Sequence, residues 1–214
     1  MKNLLIFVDP LKDFNKEHQI LAKLQIDWSL NFCKPEDIML VTNFPYEYRG
    51  VKAIQVEDDC YYPPFNRATK IPVINRLFEK GLINEEFWFH DFDVFQLEEM
   101  KPKKDFSIVL YGKNPKCSEL KWNAGSFFFN QNAKETFEKI EETMWKFNID
   151  EENALTLMMV GGFKCEELDY SYCVHVYNTN VKNSKALHFH PSKEHHKKLF
   201  NLPQKLEELI DSYK

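Results

Sequence analysis

Glycine is scarce in this chain, with 6 in 214 residues, and alanine is sparse beside it. Against plentiful Lys, Asn, Phe and Ile, that shortage reads as coding bias rather than as a functional signature. No CxxC pair occurs among the five cysteines (Cys33, Cys60, Cys117, Cys165 and Cys173), and an odd number cannot close fully into disulfides. Reduced thiols in a cytoplasmic compartment are therefore expected. Long apolar runs are missing as well. The opening "MKNLLIFVDP" has only a short apolar stretch before Asp9, too brief for a signal peptide, and no later run reaches membrane-spanning length. The expectation is a soluble, unexported protein with no membrane span. An excess of positive charge is the last absence: the formal net charge of −5 argues against a general nucleic-acid binder, which needs a basic face.

What remains is ordinary globular material, 43% hydrophobic and 29% charged, enough for one domain with a full core. "NLLIFV" (3–8) and "DIMLVTNF" (37–44) read as buried strands, and "VKAIQVE" (51–57) as an alternating one. Residues 14–33 between the first two have helix-like spacing of Phe14, His18, Leu21, Leu24, Trp28 and Phe32. Residues 69–80 form a second helix, with Gly81 placed to end it. Strands follow at "EEFWFHD", "FSIVLYG" (106–112) and "AGSFFFN" (124–130). Asn132 and Glu135 resemble a capping box for a helix striped by Ala133, Phe137, Ile140, Met144 and Phe147. Asp150 caps another helix, stopped by Gly161-Gly162. "YCVHVYN" (172–178) and "ALHFHP" (186–191) precede a terminal helix with Leu206, Leu209, Ile210 and Tyr213 inward. There is no repeat or long linker, and the alternation predicts a single α/β domain.

The chemistry starts at "HDFD". Open α/β sheets bind ligands beyond the carboxyl ends of their strands, and Asp91 and Asp93 stand at such an end. Period-two geometry turns both carboxylates to one side, where a cation relieves their repulsion. Oxygen ligands of this kind suit Mg²⁺ or Mn²⁺. The plain alternative is a pair of solvated turn residues after an edge strand. In "KWNAGSFFF", Gly125 permits close backbone approach and Asn123 offers a donor and an acceptor to a sugar hydroxyl. His188 and His190 in "ALHFHP" supply imidazoles that complete a good Mn²⁺ set.

An apolar strand ending in DxD, an N-A-G strand, the acidic helix start "DEENAL" and a late "HFH", in this order, resemble a GT-A-fold, DxD-containing glycosyltransferase of the compact viral and bacterial sort, over residues 1–195. The resemblance implies a mixed, Rossmann-like central sheet flanked by helices. Residues 1–95 would form the nucleotide-binding half, 96–200 the donor-sugar and acceptor half, and 201–214 a C-terminal helix. It also implies transfer of a sugar from a nucleotide-sugar, with uridine diphosphate the first-ranked carrier, to a glycan or glycoprotein acceptor.

By the same resemblance Asp91 and Asp93 hold the cation. His188 is ranked ahead of His190 as its third ligand, and Pro191 stands where relatives often have glycine. Val8 and Asp9 fall where relatives line base and ribose, although Asp9 serves equally as a turn acid or helix cap. Arg67 and Lys70 match a basic pair facing donor phosphate or sugar, and Lys193 is a further phosphate candidate; solvated surface charge is the competing reading for each. Asn123 meets the donor sugar. Asp150, Glu151 and Glu152 are candidates for the acid nearest the reacting carbon, with Glu151 and Glu152 preferred, while the helix dipole alone explains at least one of the three. Tyr46, Tyr48, Tyr61, Tyr62 and Phe65 either stack on ligand rings or cover a core edge, and "KEHHKK" reads as a solvated turn.

Two rivals stand. A haloacid-dehalogenase-like phosphatase also ends a strand in DxD, but here the motif is central, Phe95 sits where its hydroxyl belongs, and Asp58-Asp59 come upstream in the wrong order. A non-catalytic module binding nucleotide-sugar or glycan is the other.

Overall fold

In a computed structural model of the chain, residues 1–101, 104–113, 120–176 and 183–213 are described. Cys117 and the last two residues of the expected strand 172–178 lie outside them. The first half alternates as its pattern predicts: β1 (Lys2–Phe7), α1 (Lys16–Ser29), β2 (Ile38–Thr42), the short β3 (Glu47–Tyr48), β4 (Val51–Lys52) and β5 (Ile54–Gln55), then α2 (Lys70–Glu79) and β6 (Phe87–His90). β7 (Val94–Gln96), β8 (Phe106–Lys113), β9 (Leu120–Phe129), α3 (Lys134–Phe147), α4 (Glu151–Val160) and β10 (Glu166–Leu168) come next. β11 (Val174–His175), β12 (Ala186–His188), α5 (Glu194–Lys197) and α6 (Gln204–Asp211) complete the order.

Seven strands form the central sheet in the order β10-β8-β9-β6-β1-β2-β5. β1 pairs in parallel with both β2 and β6, while β9 runs antiparallel to its neighbours β6 and β8. β11, β12 and β7 make a second, three-stranded sheet. The alternation of apolar side chains explains how the layers form. Leu4, Phe87, Phe89, Phe127 and Phe129 face one way and meet Ile71, Ile74 and Leu77 of α2, Phe137 and Ile140 of α3, and Leu155 of α4. Leu5 and Leu40 face the other way, onto Leu21, Ala22 and Ile26 of α1. Trp88 and Phe128, one residue out of phase with their neighbours, pack on Val94, Leu168 and Ala186 near the second sheet. Every strand residue of β6 is buried, the mark of a central strand with both faces covered.

Several local expectations need correction. The strand expected at 51–57 is broken at Ala53 into β4 and β5, which belong to different sheets. The helix expected at 14–33 is shorter, since Asn15 caps it by accepting from the His18 amide. Asn132 and Glu135 make no capping box. The Asn130 carboxamide accepts from the Asn132 amide, which starts a single 3₁₀ turn, and α3 then begins without a side-chain cap. Phe147, expected on the buried stripe, is exposed because α3 ends there with Asn148 in the left-handed region. Asp150 does cap α4, accepting from the Asn153 amide, and Gly161-Gly162 ends it, with Gly162 at φ +94°. "KEHHKK" contains the short helix α5 rather than only a turn.

Candidate active site

From β1 the chain first builds β2 on one side and later β6 on the other, so the strand order reverses at β1 and a crevice opens at the carboxyl ends of β1 and β6, where this architecture places ligands. A cavity of about 410 Å³ occupies it. Val8 and Asp9 from the end of β1, Arg67 in the 3₁₀ turn before α2, Lys70 at the start of α2, and Asp91 and Asp93 after β6 all line this space. Asp9 also behaves as the turn acid its position suggests, since its carboxylate accepts from the Leu11 amide at 2.8 Å. Asn43 fixes the strand end by donating to the Asp9 carbonyl and accepting from the Asp9 amide.

Asp91, Asp93 and His188 converge: one potential ligand atom from each lies within 4.8 Å of the others. β12 delivers His188 by pairing antiparallel with β7, which directly follows the two acids, and His188 stands opposite Val94. His188 Nε2 lies 3.3 Å from Asp93 Oδ1. Burial works to raise the Asp93 carboxyl, but the His188 charge and hydrogen bond outweigh it and bring the group down to about 2. The same pairing overcomes the effect of burial on His188 and lifts its imidazole well above the usual range. Burial and the Asp93 charge raise Asp91, with Lys70 and His188 opposing them.

His190, offered with His188 as a ligand, stands apart from this group. Its Nε2 faces Glu17 at 3.3 Å and its Nδ1 meets Ser192 Oγ at 2.9 Å. The alternation that would have kept both imidazoles together stops where β12 ends, at His188. Lys193 is exposed and absent from the cavity lining.

β9 backs the acids and the histidine from behind, and Asn123, Glu151 and Glu152 lie outside the cavity lining. The Asp91 amide donates to the Gly125 carbonyl at 2.8 Å, locking the two strands together at the site. A Cβ on Gly125 would lie 2.6 Å from His188 Cε1 and 2.9 Å from Asp91 Oδ2, so only glycine leaves these side chains their positions. The Asn123 carboxamide accepts from the Gly125 amide, while its buried Nδ2 has no partner among the described residues.

Lys70 is not the solvated surface charge that its sequence context allows. Its side chain is only 6% exposed, and its ammonium reaches the Ala124 carbonyl at 2.8 Å, Glu151 Oε1 at 3.1 Å and Asp91 Oδ1 at 3.6 Å. Burial pulls its pKa down, but these carboxylates outweigh that and raise it. Glu151 Oε2 is left buried without a partner among the described residues. Arg67 pairs with the carboxylate of Asp150, so that acid is committed to a cap and an ion pair. Glu152 accepts from the Ala124 amide at 3.3 Å, and burial, reinforced by Glu151, raises its carboxyl.

Sequence reasoning offers no site role for His18, Asn66 or Thr69, although all three line the cavity beside Tyr61, one of the aromatics expected either to stack on ligand rings or to cover a core edge. Only the helical phase that puts His18 beside Leu21 hints at the first of these. Tyr62, by contrast, is wholly buried, with its hydroxyl donating to the Met144 and Ile149 carbonyls, and is a core residue. His90 is buried too, and that burial drives its imidazole down to about 3. The Asp58-Asp59 pair that a dehalogenase-like phosphatase would need is engaged by Lys12 and Arg76 and does not line the cavity.

The mixed seven-stranded sheet with its single reversed strand, flanked by helices and opening at the β1–β6 crevice, defines a GT-A-type fold. No family model and no curated protein matches the chain. Among solved structures it is similar to a glycosyltransferase involved in glycosylating the major capsid of PBCV-1, at 13% identity and TM-score 0.54, covering 100% of this chain and 98% of that one. It is also similar to galactosyltransferase LgtC in complex with donor and acceptor sugar analogs, at 12% identity and TM-score 0.60, covering 99% and 96%. An active-site mutant of LgtC matches over the same shares at TM-score 0.61. At such identities the likeness establishes the fold. No helix among the described residues is long and apolar enough to cross a membrane.

Proposed function

We propose that this chain is a divalent-cation-dependent glycosyltransferase. It takes a sugar from a nucleoside-diphosphate sugar, with uridine diphosphate the first carrier to test, and moves it to a glycan or glycoprotein acceptor. The convergence of Asp91, Asp93 and His188 beside Gly125, at the rim of the β1–β6 crevice, carries the reading.

Two carboxylates and an imidazole suit Mn²⁺ or Mg²⁺, and the missing side chain of Gly125 lets His188 and Asp91 keep the positions in which they converge. A cation bound there neutralises charge growing on a departing diphosphate. The other roles fall to the protein's own groups. Val8 and Asp9 line the base and ribose end. The largely exposed Arg67 guanidinium approaches the donor from the rim, with its charge shared by Asp150. Asn123 Nδ2 and Glu151 Oε2, both buried and without a partner among the described residues, offer a donor and an acceptor to sugar hydroxyls. Such groups discriminate strongly, because a ligand lacking the matching hydroxyl leaves them unpaired. Lys70 holds Glu151 and Asp91 in place with its ammonium. Glu152, its carboxyl raised above the ordinary range by burial and the Glu151 charge, is suited to take the proton of an acceptor hydroxyl.

The test is a thermal-shift screen of nucleotide-sugars with and without Mn²⁺, followed by product analysis. One donor should stabilise the protein only with metal, and Asp93→Asn should lower transfer by roughly 10²–10³-fold. If no nucleotide-sugar stabilises the protein in the presence of metal, the reading falls. Metal-dependent binding without product would instead leave a non-catalytic binding module.

A further inference from the structure

A second concavity, of about 340 Å³, opens beside the candidate active site. Its walls are largely apolar, with Ile20, Leu21 and Leu24 on one side and Pro191 and Ile210 on the other. Leu21 and His190 line both this groove and the main cavity, so the two depressions share a wall. The His190 ring in that wall is held from both nitrogens, by Glu17 and by Ser192.

The size limits the occupant. A volume in this range suits a small molecule, whereas a stable protein partner needs about 800 Å² of surface on each side. Chemistry limits it further. Lys16, Glu17, Ser192 and Tyr213 also line the groove, but Glu17 and Ser192 hold His190 and the Tyr213 hydroxyl meets Asp27 and Tyr48. Its aliphatic stretch therefore offers little to a nucleobase edge, a phosphate or sugar hydroxyls, which lose hydration on burial there. A hydrocarbon gains. The neighbouring cavity is rich in carboxylates, hydroxyls and cations, so a ligand spanning both must be polar at one end and apolar at the other.

We infer that the groove between α1 and α6 is an aglycone subsite: it takes the alkyl part of an acceptor glycoside whose sugar lies in the main cavity. This rests on the transferase reading for the word acceptor, and on the groove itself for the alkyl preference. A fully buried methylene contributes about 0.8 kcal/mol, or roughly fourfold in affinity. Even partial burial of an octyl chain therefore gives about tenfold or more over a methyl group.

The experiment measures binding of n-octyl β-D-glucopyranoside, kept below its micelle concentration, and of methyl β-D-glucopyranoside to the full chain by calorimetry. Uridine diphosphate with Mn²⁺ is titrated separately. Ile20→Glu and Ile20→Trp, one charging the groove and one filling it, are compared with wild type after thermal melting has verified their folding. Ile20 does not line the main cavity. The octyl compound should bind at least about tenfold more tightly, and both variants should erase that gain while leaving the nucleotide titration unchanged. Equal binding of the two glycosides overturns the inference, as does an octyl gain that survives both substitutions. Variants that weaken the nucleotide instead would put the base in the groove and overturn it too. If wild type ignores uridine diphosphate yet keeps an octyl gain that Ile20→Glu removes, the uridine carrier fails while the alkyl subsite stands.

Discussion

Replacing Gly125 by alanine tests the site with the smallest available change. The new methyl carbon would lie 2.6 Å from His188 Cε1, 2.9 Å from Asp91 Oδ2 and 3.2 Å from Asn123 Oδ1. Non-bonded carbons settle near roughly 3.5–4.0 Å, so the imidazole must move by about 1 Å. On the β6 side the Gly125 carbonyl is held by the Asp91 amide, whereas the pairing with β8 is irregular between Trp122 and Phe127. His188 is in turn backed by His175, with ring centroids 4.8 Å apart. Ligand distances in metal sites tolerate roughly 0.2 Å, so a shift of that size removes one ligand and disturbs a second. Overpacking should cost about 1–3 kcal/mol of folding stability. Cation affinity in the presence of uridine diphosphate should fall by about 100-fold, the upper end of what second-shell losses cost. With wild type at about 100 times its dissociation constant, bound cation stabilises by about 2.7 kcal/mol, which the variant reduces to about 0.4 kcal/mol. For a chain of this length the metal-dependent rise in melting temperature should shrink from roughly 5–10 °C to about 1 °C. Calorimetric Mn²⁺ titration with matched melting curves measures both quantities. An alanine variant that binds Mn²⁺ as tightly as wild type would refute the placement of the ion among these three side chains.

Other outcomes follow from the same geometry. Lys70→Met strands the buried Glu151 carboxylate and should cost about 3–5 kcal/mol in urea unfolding, whereas Lys70→Met with Glu151→Leu should recover much of that without restoring donor binding. If the double variant is no more stable than the single one, the pair is not the unit described. Burial raises Cys33, Cys60 and Cys165 to about 11, so at about pH 8 their thiolate fraction falls about 100-fold below that of a free thiol and native-state alkylation should be correspondingly slow. The unfolded chain releases these protons first, so folding stability should decline as pH rises from about 9 to about 11. Iodoacetamide labelling across pH, read by mass spectrometry, checks the first point and urea melts check the second. Labelling of Cys60 at the free-thiol rate near neutral pH would contradict its burial. Arg67→Ala should change stability by less than about 1 kcal/mol, because the guanidinium is exposed and Asp150 keeps its cap through Asn153, yet it should weaken donor binding in the same titration.

Much of this architecture can be read from apolar spacing. Leu4 and Leu5, or Phe87 and Trp88, fall on opposite faces because a strand has period two, and the helices between them carry the stripes that cover those faces. The acids at 91 and 93 stand out for the same reason, since they follow a wholly buried strand. The errors have local causes. Parity groups His190 with His188 only inside a strand, and β12 ends too soon to carry both. The Asn132–Glu135 spacing fits a capping box, but Asn130 two residues earlier competes for the same amide and wins. Lys70 resembles a surface cation because sequence alone cannot show that Ala124, Glu151 and Asp91 will surround one ammonium. That arrangement depends on three separate elements meeting, as does the small second sheet, whose strands are two or three residues long.

The reversed direction of β9 has a consequence for how the molecule comes together. The rim that receives the end of β6 is lined on its other side by the early and middle part of a strand made later, and its third member arrives from β12, near the end of the chain. No short contiguous fragment can assemble the pocket, and a nascent chain carrying both acids still lacks its histidine. On the proposed reading, ion capture would be a late reporter, silent through collapse and pairing and responding only once the final strand has docked.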